Sequence, residues 1–347
     1  MRVVVTGASG FVGSHAVAAL RAAGHEPVLL VRDPGKATEV LPAVGVVDPL
    51  EIHQADIRDA EAVRKALGSG EAVLHAAAEV GVTGHGGDLA GTNVAGLANV
   101  LGQAVELGLD PVITVSSTAV FVPPHGPVIT LDSPLSSPRT DYGRTKLDGE
   151  RYARALQGDG HPVTIVYPAG VIGPHQPTLD SMVEGLRAGL VQGWPMTSGG
   201  VGLIDVRDLA TALGRCVEPG RGPRRYLLGG RFLRWSQLAD VCDEVTGGRC
   251  RRFPAPAPLL RAVAALLDAV KKVRAVDYPL TRDAVDLMVS MVPVHDAETL
   301  DELGLRLRPV QESVADTLRW LVETGHLAPR HVGRLAPPAR SEEDTAL

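Results

Sequence analysis

The chain opens Met1-Arg2-Val3-Val4-Val5-Thr6-Gly7-Ala8-Ser9-Gly10-Phe11-Val12-Gly13, and this stretch decides the fold. Three valines and a threonine make a short β-branched run of the kind that suits a buried strand. The run breaks at Gly7-x-x-Gly10-x-x-Gly13, and a segment with helical spacing follows near 11–23. A glycine triplet is weak evidence by itself; set between a strand and a helix it is the fingerprint of a dinucleotide site. Gly7 permits the tight turn, Gly10 lets backbone approach a pyrophosphate, and Gly13 lets helix and strand pack closely. The helix N-terminus then presents free N–H groups and a positive dipole to the phosphates. Thr6, Gly7, Ser9, Gly10, Phe11, Val12 and Gly13 are therefore candidate cofactor contacts.

Moving outward, apolar runs of four to six residues recur at Val3–Thr6, Val28–Val31, Glu51–Gln54, Ala72–His75, Val112–Ser116 and Val163–Tyr167. Helical patterns separate them near 11–23, 59–67, 88–108 and 139–157. Strands apolar on both faces and alternating with helices predict an α/β fold with a doubly wound, parallel, Rossmann-type sheet. Residues 1–167 form the expected cofactor domain, with returns near 203–228. From 168 to 330 the pattern becomes short helices and Gly/Pro-bearing loops, which predicts a smaller, mainly helical substrate lobe. Helical patterns there fall near 178–190, 206–217, 235–246, 257–272 and 309–324. The polar stretch 331–347 is expected to be a disordered tail.

Bulk properties narrow the function classes. The 347 residues are 45% hydrophobic and 21% charged, which is ordinary for a globular protein. A net charge of -6 argues against a nucleic-acid partner. Cys216, Cys242 and Cys250 have no metal-ligand spacing, and an odd number argues against a disulfide framework. The apolar opening is too short for a signal peptide, and no apolar run is long enough for a membrane span, so a cytoplasmic protein is expected.

The end of the second strand selects the cofactor. An acidic residue there favours the ribose of NAD, and an arginine favours the 2′-phosphate of NADP. Leu30-Val31-Arg32-Asp33 places Arg32 first, which favours NADP; Asp33 keeps NAD open. Asp56 and Ile57 follow the third strand as further candidate contacts. Asp56 has two readings: an acceptor for the adenine amino group, or the N-cap of the next helix.

Tyr142 and Lys146 stand four residues apart in a helical segment, so they share a face. Five Tyr and five Lys in the chain would give roughly 0.07 such pairs by chance. Reducing a carbonyl requires a proton at its oxygen. A neighbouring ammonium favours the phenolate and so brings a phenol closer to neutral pH. Ser116-Ser117-Thr118 follows the fifth strand, at the edge where open α/β sheets bind ligands.

The opening MRVVVTGASGFVGSH, together with VLLVRDP, ADIRD, VLHAAA, TNVAGLANVL, VSSTAVF, DYGRTK, YPAGVIGP and DVRDLA, resembles the extended short-chain dehydrogenase/reductase family, which includes the NAD-dependent epimerases and dehydratases. The resemblance covers about residues 1–215. It implies Tyr142 as general acid/base, Lys146 as ribose contact and modulator of the tyrosine, and Ser117 as hydrogen-bond donor to the carbonyl. It implies that Asn93 helps position the lysine. His75, Ala76 and Ala77 match the loop beside the cofactor, and Pro168 and Val171 the loop near the nicotinamide. Thr118 and Ala119 stand where the family's dehydratases carry an acid pair, so dehydration is not expected. Val166 to Pro174 is closer to the dihydroflavonol reductase and 3β-hydroxysteroid dehydrogenase branch.

The expected activity is NAD(P)-dependent reduction or oxidation of a small, mostly apolar carbonyl/alcohol substrate. The alternatives are a nucleotide-sugar epimerase with tightly bound NAD and a non-catalytic dinucleotide-sensing regulator. The resemblance also implies a homodimer through the helices near 88–108 and 139–157. His15 is read as packed or surface, and His85, His125 and His175 as loop residues bordering the cleft. Trp194 and Trp235 are expected to pack the second lobe, and the helix near 257–272 to be a lid or core helix rather than a membrane-surface one.

Overall fold

The computed structural model describes residues 1–79, 90–137, 141–271 and 282–337. Six strands carry the cofactor half: β1 (Arg2–Thr6), β2 (Glu26–Val31), β3 (Glu51–Gln54), β4 (Ala72–His75), β5 (Val112–Val115) and β6 (Val163–Pro168). A seventh, Arg224–Leu228, joins them in one sheet, which runs Arg224–Leu228, β6, β5, β4, β1, β2, β3. Every pairing in it is parallel. The order reverses between β1 and β4, so the crevice for a ligand opens at their carboxyl ends.

Period-two alternation divides the core between the two faces. Val3 and Val5 of β1 face one cluster, with Val17 and Leu20 of the helix α1 (Phe11–Ala22). Val4 faces the other, with Val63 and Leu67 of the helix Ala60–Leu67 and Val100 and Leu101 of the helix Leu97–Glu106. The helix Val206–Arg215 sits in the first cluster, where Leu209, Ala212 and Leu213 are buried with Val17 and Leu20.

Two small sheets hold the second lobe. Gly200–Asp205 pairs in parallel with Gly170–Ile172 and antiparallel with Arg231–Arg234. Trp194–Met196 pairs with Arg252–Pro254. Of the returns expected near 203–228, Gly200–Asp205 therefore lies in this three-stranded sheet, and only Arg224–Leu228 rejoins the main one. Trp194 and Trp235 stack at 6.5 Å within the lobe. The helix Ala257–Lys271 packs on the helix Arg282–Ser290 through Ala264, Val285 and Val289, and leaves Leu259 and Leu266 exposed.

The stretch expected as a tail from 331 stays packed through 336. It forms short 3-10 turns in which Val332 is fully buried, and Arg334 donates to the carbonyls of Val245 and Glu244 at the end of the helix Trp235–Thr246. Leu335 and Ala336 pack with Val332 against the second lobe's core, and Arg334 adds its bonds to the helix end. Residues 338–347 lie outside the described residues. Among the described residues, no helix is long and apolar enough to cross a membrane.

Candidate active site

The glycine loop meets its steric demands in three different ways. Gly7 adopts φ 75°, and a Cβ on it would lie 2.6 Å from the Ala77 nitrogen. A Cβ on Gly13 would lie 2.1 Å from the Gly7 carbonyl oxygen, closer than real atoms approach. At Gly10 the nearest neighbour would be 3.2 Å away. The first and third glycines thus serve the chain's own packing, and the second leaves one open approach for a ligand. Gly10 is also the N-cap of α1 and offers no side-chain acceptor to the helix's first N–H groups.

The loop after β4 is bound to this turn. Thr6 and His75 are register partners, and the Thr6 Oγ1 and His75 Nδ1 lie 2.8 Å apart. Ala76 donates its N–H to the Thr6 carbonyl at 3.2 Å, and Ala77 donates to Thr6 Oγ1 at 3.4 Å. Burial holds His75 down to about 3, with the Lys146 charge adding to it, so the ring is neutral at physiological pH. Phe11 meets His15 edge-on at 5.5 Å, and His15 Nε2 lies 3.1 Å from the Pro174 carbonyl oxygen. His15 is a packed residue, and its burial lowers it to about 4.

Arg32 follows β2 with its side chain 61% exposed, 3.6 Å from Glu79. Asp33 is occupied elsewhere, capping the helix Pro34–Val40 by accepting the Lys36 N–H. Asp56 accepts the main-chain N–H, Nε and Nη2 of Arg58, and these bonds hold its carboxyl down to about 2. The N-cap of the helix Ala60–Leu67 is Asp59, not Asp56, because Asp59 accepts from Glu61 and Ala62. Ile57 turns its side chain into the core against Gly96. Any contact it makes at the sheet edge is left to its backbone.

Tyr142 and Lys146 lie one turn apart on the helix Asp141–Gly158. The side chains of Asp141 and Tyr142, and the whole of His85, lie outside the described residues. Lys146 donates to the Val115 carbonyl at 3.3 Å, which brings its ammonium to the end of β5. Burial lowers it to about 8, against the raising effect of Glu150. Ser117 caps the turn Thr118–Phe121 by accepting the Ala119 N–H at 3.1 Å. Asn93 sits in a π-helical stretch, Gly91–Gly96, where it accepts from the Glu79 N–H and donates to the Glu79 carbonyl and to Thr145 Oγ1. It thus clamps the chain after β4 to the helix that carries Lys146. Pro168 ends β6, and Val171 pairs with Ile204 at the start of the second lobe. His125 lies 3.3 Å from Ser136, and His175, at φ 62°, stacks on His15.

Glu150 escapes a motif-based reading. Its fully buried carboxylate accepts from Ser116 Oγ at 2.8 Å, Tyr167 OH at 2.6 Å and Arg154 Nε at 2.6 Å. The only sequence signal was spacing: residues 142, 146 and 150 follow one another at one helical turn.

This arrangement of glycine turn, sheet edge and helix has a known counterpart, since the model of the NAD dependent epimerase/dehydratase family matches residues 3–229. The chain belongs to this family. It is an NAD(P)-dependent enzyme of the extended short-chain dehydrogenase/reductase type. It is 28% identical to sterol demethylase protein B of Methylococcus capsulatus, over 94% of this chain and 99% of that protein. It is also 28% identical to cinnamoyl-CoA reductase 1 of Oryza sativa, over 94% and 91%. A solved structure, gox2253, shares the fold with a TM-score of 0.78 at 23% identity, over 94% of this chain and 99% of that one.

Proposed function

We propose that this enzyme is an NADP(H)-dependent reductase or dehydrogenase acting on a small, mostly apolar carbonyl/alcohol substrate. The observation that carries the reading is the helix that sets Tyr142 and Lys146 one turn apart while Lys146 reaches the end of β5, next to Ser116 and Ser117. Relatives that match along nearly their whole length include a cinnamoyl-CoA reductase, which supports reduction.

The cofactor site fits a dinucleotide. Gly10 leaves room on the ligand side that a side chain would take up, Gly7 and Gly13 pack against the chain's own backbone, and the uncapped N–H groups of α1 face that opening. Thr6 to Gly13 would hold the pyrophosphate, Arg32 the 2′-phosphate, Asp56 the adenine, and His75 to Ala77 with Pro168 and Val171 the nicotinamide end. When bound, the dinucleotide supplies or accepts the hydride.

The chain's own residues handle the proton and the geometry. Tyr142 donates a proton to the carbonyl oxygen in reduction and takes it back in oxidation. Lys146 lends the positive charge that favours the phenolate and binds the ribose hydroxyls. Ser117 donates a hydrogen bond to the substrate oxygen while keeping its cap to Ala119. Asn93 holds the neighbouring Thr145 and the chain at Glu79 in register. Because Lys146 titrates near 8, turnover should fall as pH rises through that value.

The test follows NADPH and NADH oxidation with a panel of aldehydes and ketones. Tyr142→Phe should lower kcat at least 100-fold, the usual scale of a lost general acid. A Tyr142→Phe enzyme that turns over normally, or epimers formed from UDP-sugars without net cofactor oxidation, would overturn the assignment.

A further inference from the structure

A fully buried carboxylate is costly unless every oxygen is satisfied, so its retention next to a reactive lysine calls for a reason. Glu150 lies one turn after Lys146 on the helix Asp141–Gly158. Its three donors come from three elements. Ser116 follows β5, Tyr167 belongs to β6, and Arg154 is one turn further along the same helix. Ser116 is itself held to β6, through its N–H to the Val166 carbonyl at 2.8 Å. The carboxylate is therefore the joint at which the Ser116-Ser117 segment, β6 and the Tyr142–Lys146 helix meet.

Glu150 and Lys146 also line one cavity of about 10 Å³, with Asn93, Thr114, Ser116 and Thr145. It has room for about one water molecule at most, so bulk solvent does not screen the two charges from each other. Among the described side chains, the titratable groups facing the pair are His75 on β4, Tyr167 on β6 and Arg154 on the same helix, with Tyr142 one turn before Lys146. His75 stays neutral, and burial with the Glu150 charge pushes the Tyr167 phenol up, so it too stays neutral. Arg154 is the cation that opposes the Glu150 field, with a side chain 26% exposed.

We propose that Glu150 is the positioning residue of this site: its carboxylate ties the Ser116-Ser117 end of β5 to the helix carrying Tyr142 and Lys146, and sets the field in which Lys146 works. The assignment rests on the Tyr142–Lys146 reading above. It makes a prediction of opposite signs. Removing the negative charge leaves the buried ammonium less favoured. Removing Arg154 leaves the carboxylate unopposed and the ammonium more favoured.

The experiment titrates the Lys146 ammonium by NMR in the cofactor-free, full-length protein labelled at lysine, where five lysines give a simple spectrum. Its expected starting midpoint is about 8. Glu150→Gln, which keeps the shape and one acceptor oxygen but not the charge, should lower it by about one pH unit, and Arg154→Met should raise it. The alkaline limb of kcat/KM should move with the midpoint in each variant. An unmoved midpoint in Glu150→Gln, or both variants moving the same way, overturns the proposal. If Glu150→Gln does not fold, Arg154→Met decides alone: a raised midpoint supports the field, and an unchanged or lowered one removes it. A failure of the Tyr142 assignment would appear in turnover and leave these midpoints untouched.

Discussion

Gly13 and Gly200 face nearly the same steric demand in two different halves of the molecule. A Cβ on Gly13 would lie 2.1 Å from the Gly7 carbonyl oxygen, and one on Gly200 would lie 2.2 Å from the Leu233 carbonyl oxygen. Gly13 meets a residue six positions earlier, inside one turn, so its purpose shows in a short motif. Gly200 meets a strand more than thirty residues later, across the pairing of Gly200–Asp205 with Arg231–Arg234. The glycine turn is closed by neighbours in sequence, and the Gly200 contact by neighbours only in space.

The largest expected effect comes from breaking either contact. Gly13→Ala should cost about 3 kcal/mol of stability, the upper range for an overpacked site, and abolish measurable dinucleotide binding. Gly200→Ala should cost a similar amount in thermal unfolding, while the folded fraction still binds dinucleotide with its original affinity. If Gly200→Ala also lost binding in the folded state, the two halves would be coupled more tightly than their contacts indicate.

The same contrast explains what could be read in advance. The six strand candidates of the first half match the structure to within two residues, mostly because strands buried on both faces leave apolar, Val-rich runs; the edge strand β3, Glu-Ile-His-Gln, is the exception. Strand β5 stops at Val115 rather than Ser116, although the Ser116 N–H still reaches the Val166 carbonyl. In the second lobe, Gly170–Ile172, Trp194–Met196 and Arg252–Pro254 are three residues each, two of them contain proline, and none is long enough to show a period. At the site, glycines and the Tyr142/Lys146 spacing were legible because their meaning is local. Glu150 was not, because its three partners come from separate elements. Nor was the hold of Asn93 on the Glu79 backbone, made across 14 residues.

A smaller effect tests the cofactor preference inside the first half. Arg32 is exposed and sits 3.6 Å from Glu79, so its guanidinium is available to a phosphate at modest cost. Arg32→Ala should weaken NADPH about tenfold, the value of a lost charged hydrogen bond, and leave NADH within twofold. Fluorescence titration with both cofactors measures this. Equal losses for both would remove the phosphate assignment and return Asp33 to consideration, although its carboxylate is already engaged with the Lys36 N–H.

The smallest effect separates two aspartates three residues apart. Asp59 caps a helix, so Asp59→Ala should cost about 1 kcal/mol of stability and leave dinucleotide affinity unchanged. Asp56 is paired with Arg58, and its carboxyl titrates near 2 against an ordinary 3.8. A depressed carboxyl stabilises the fold above the higher value and loses that contribution as pH falls from about 4 toward 2. The pair is partly exposed, so the amount is below about 1 kcal/mol. Asp56→Ala should therefore flatten the acid side of the stability curve between those pH values, measured by urea unfolding at each pH. It should also weaken dinucleotide binding about fivefold if its second carboxylate lone pairs serve the adenine amino group. An Asp56→Ala protein with the flattened acid limb and unchanged affinity would leave Asp56 as the anchor of Arg58 alone, and the adenine would then be held by the apolar walls of the crevice.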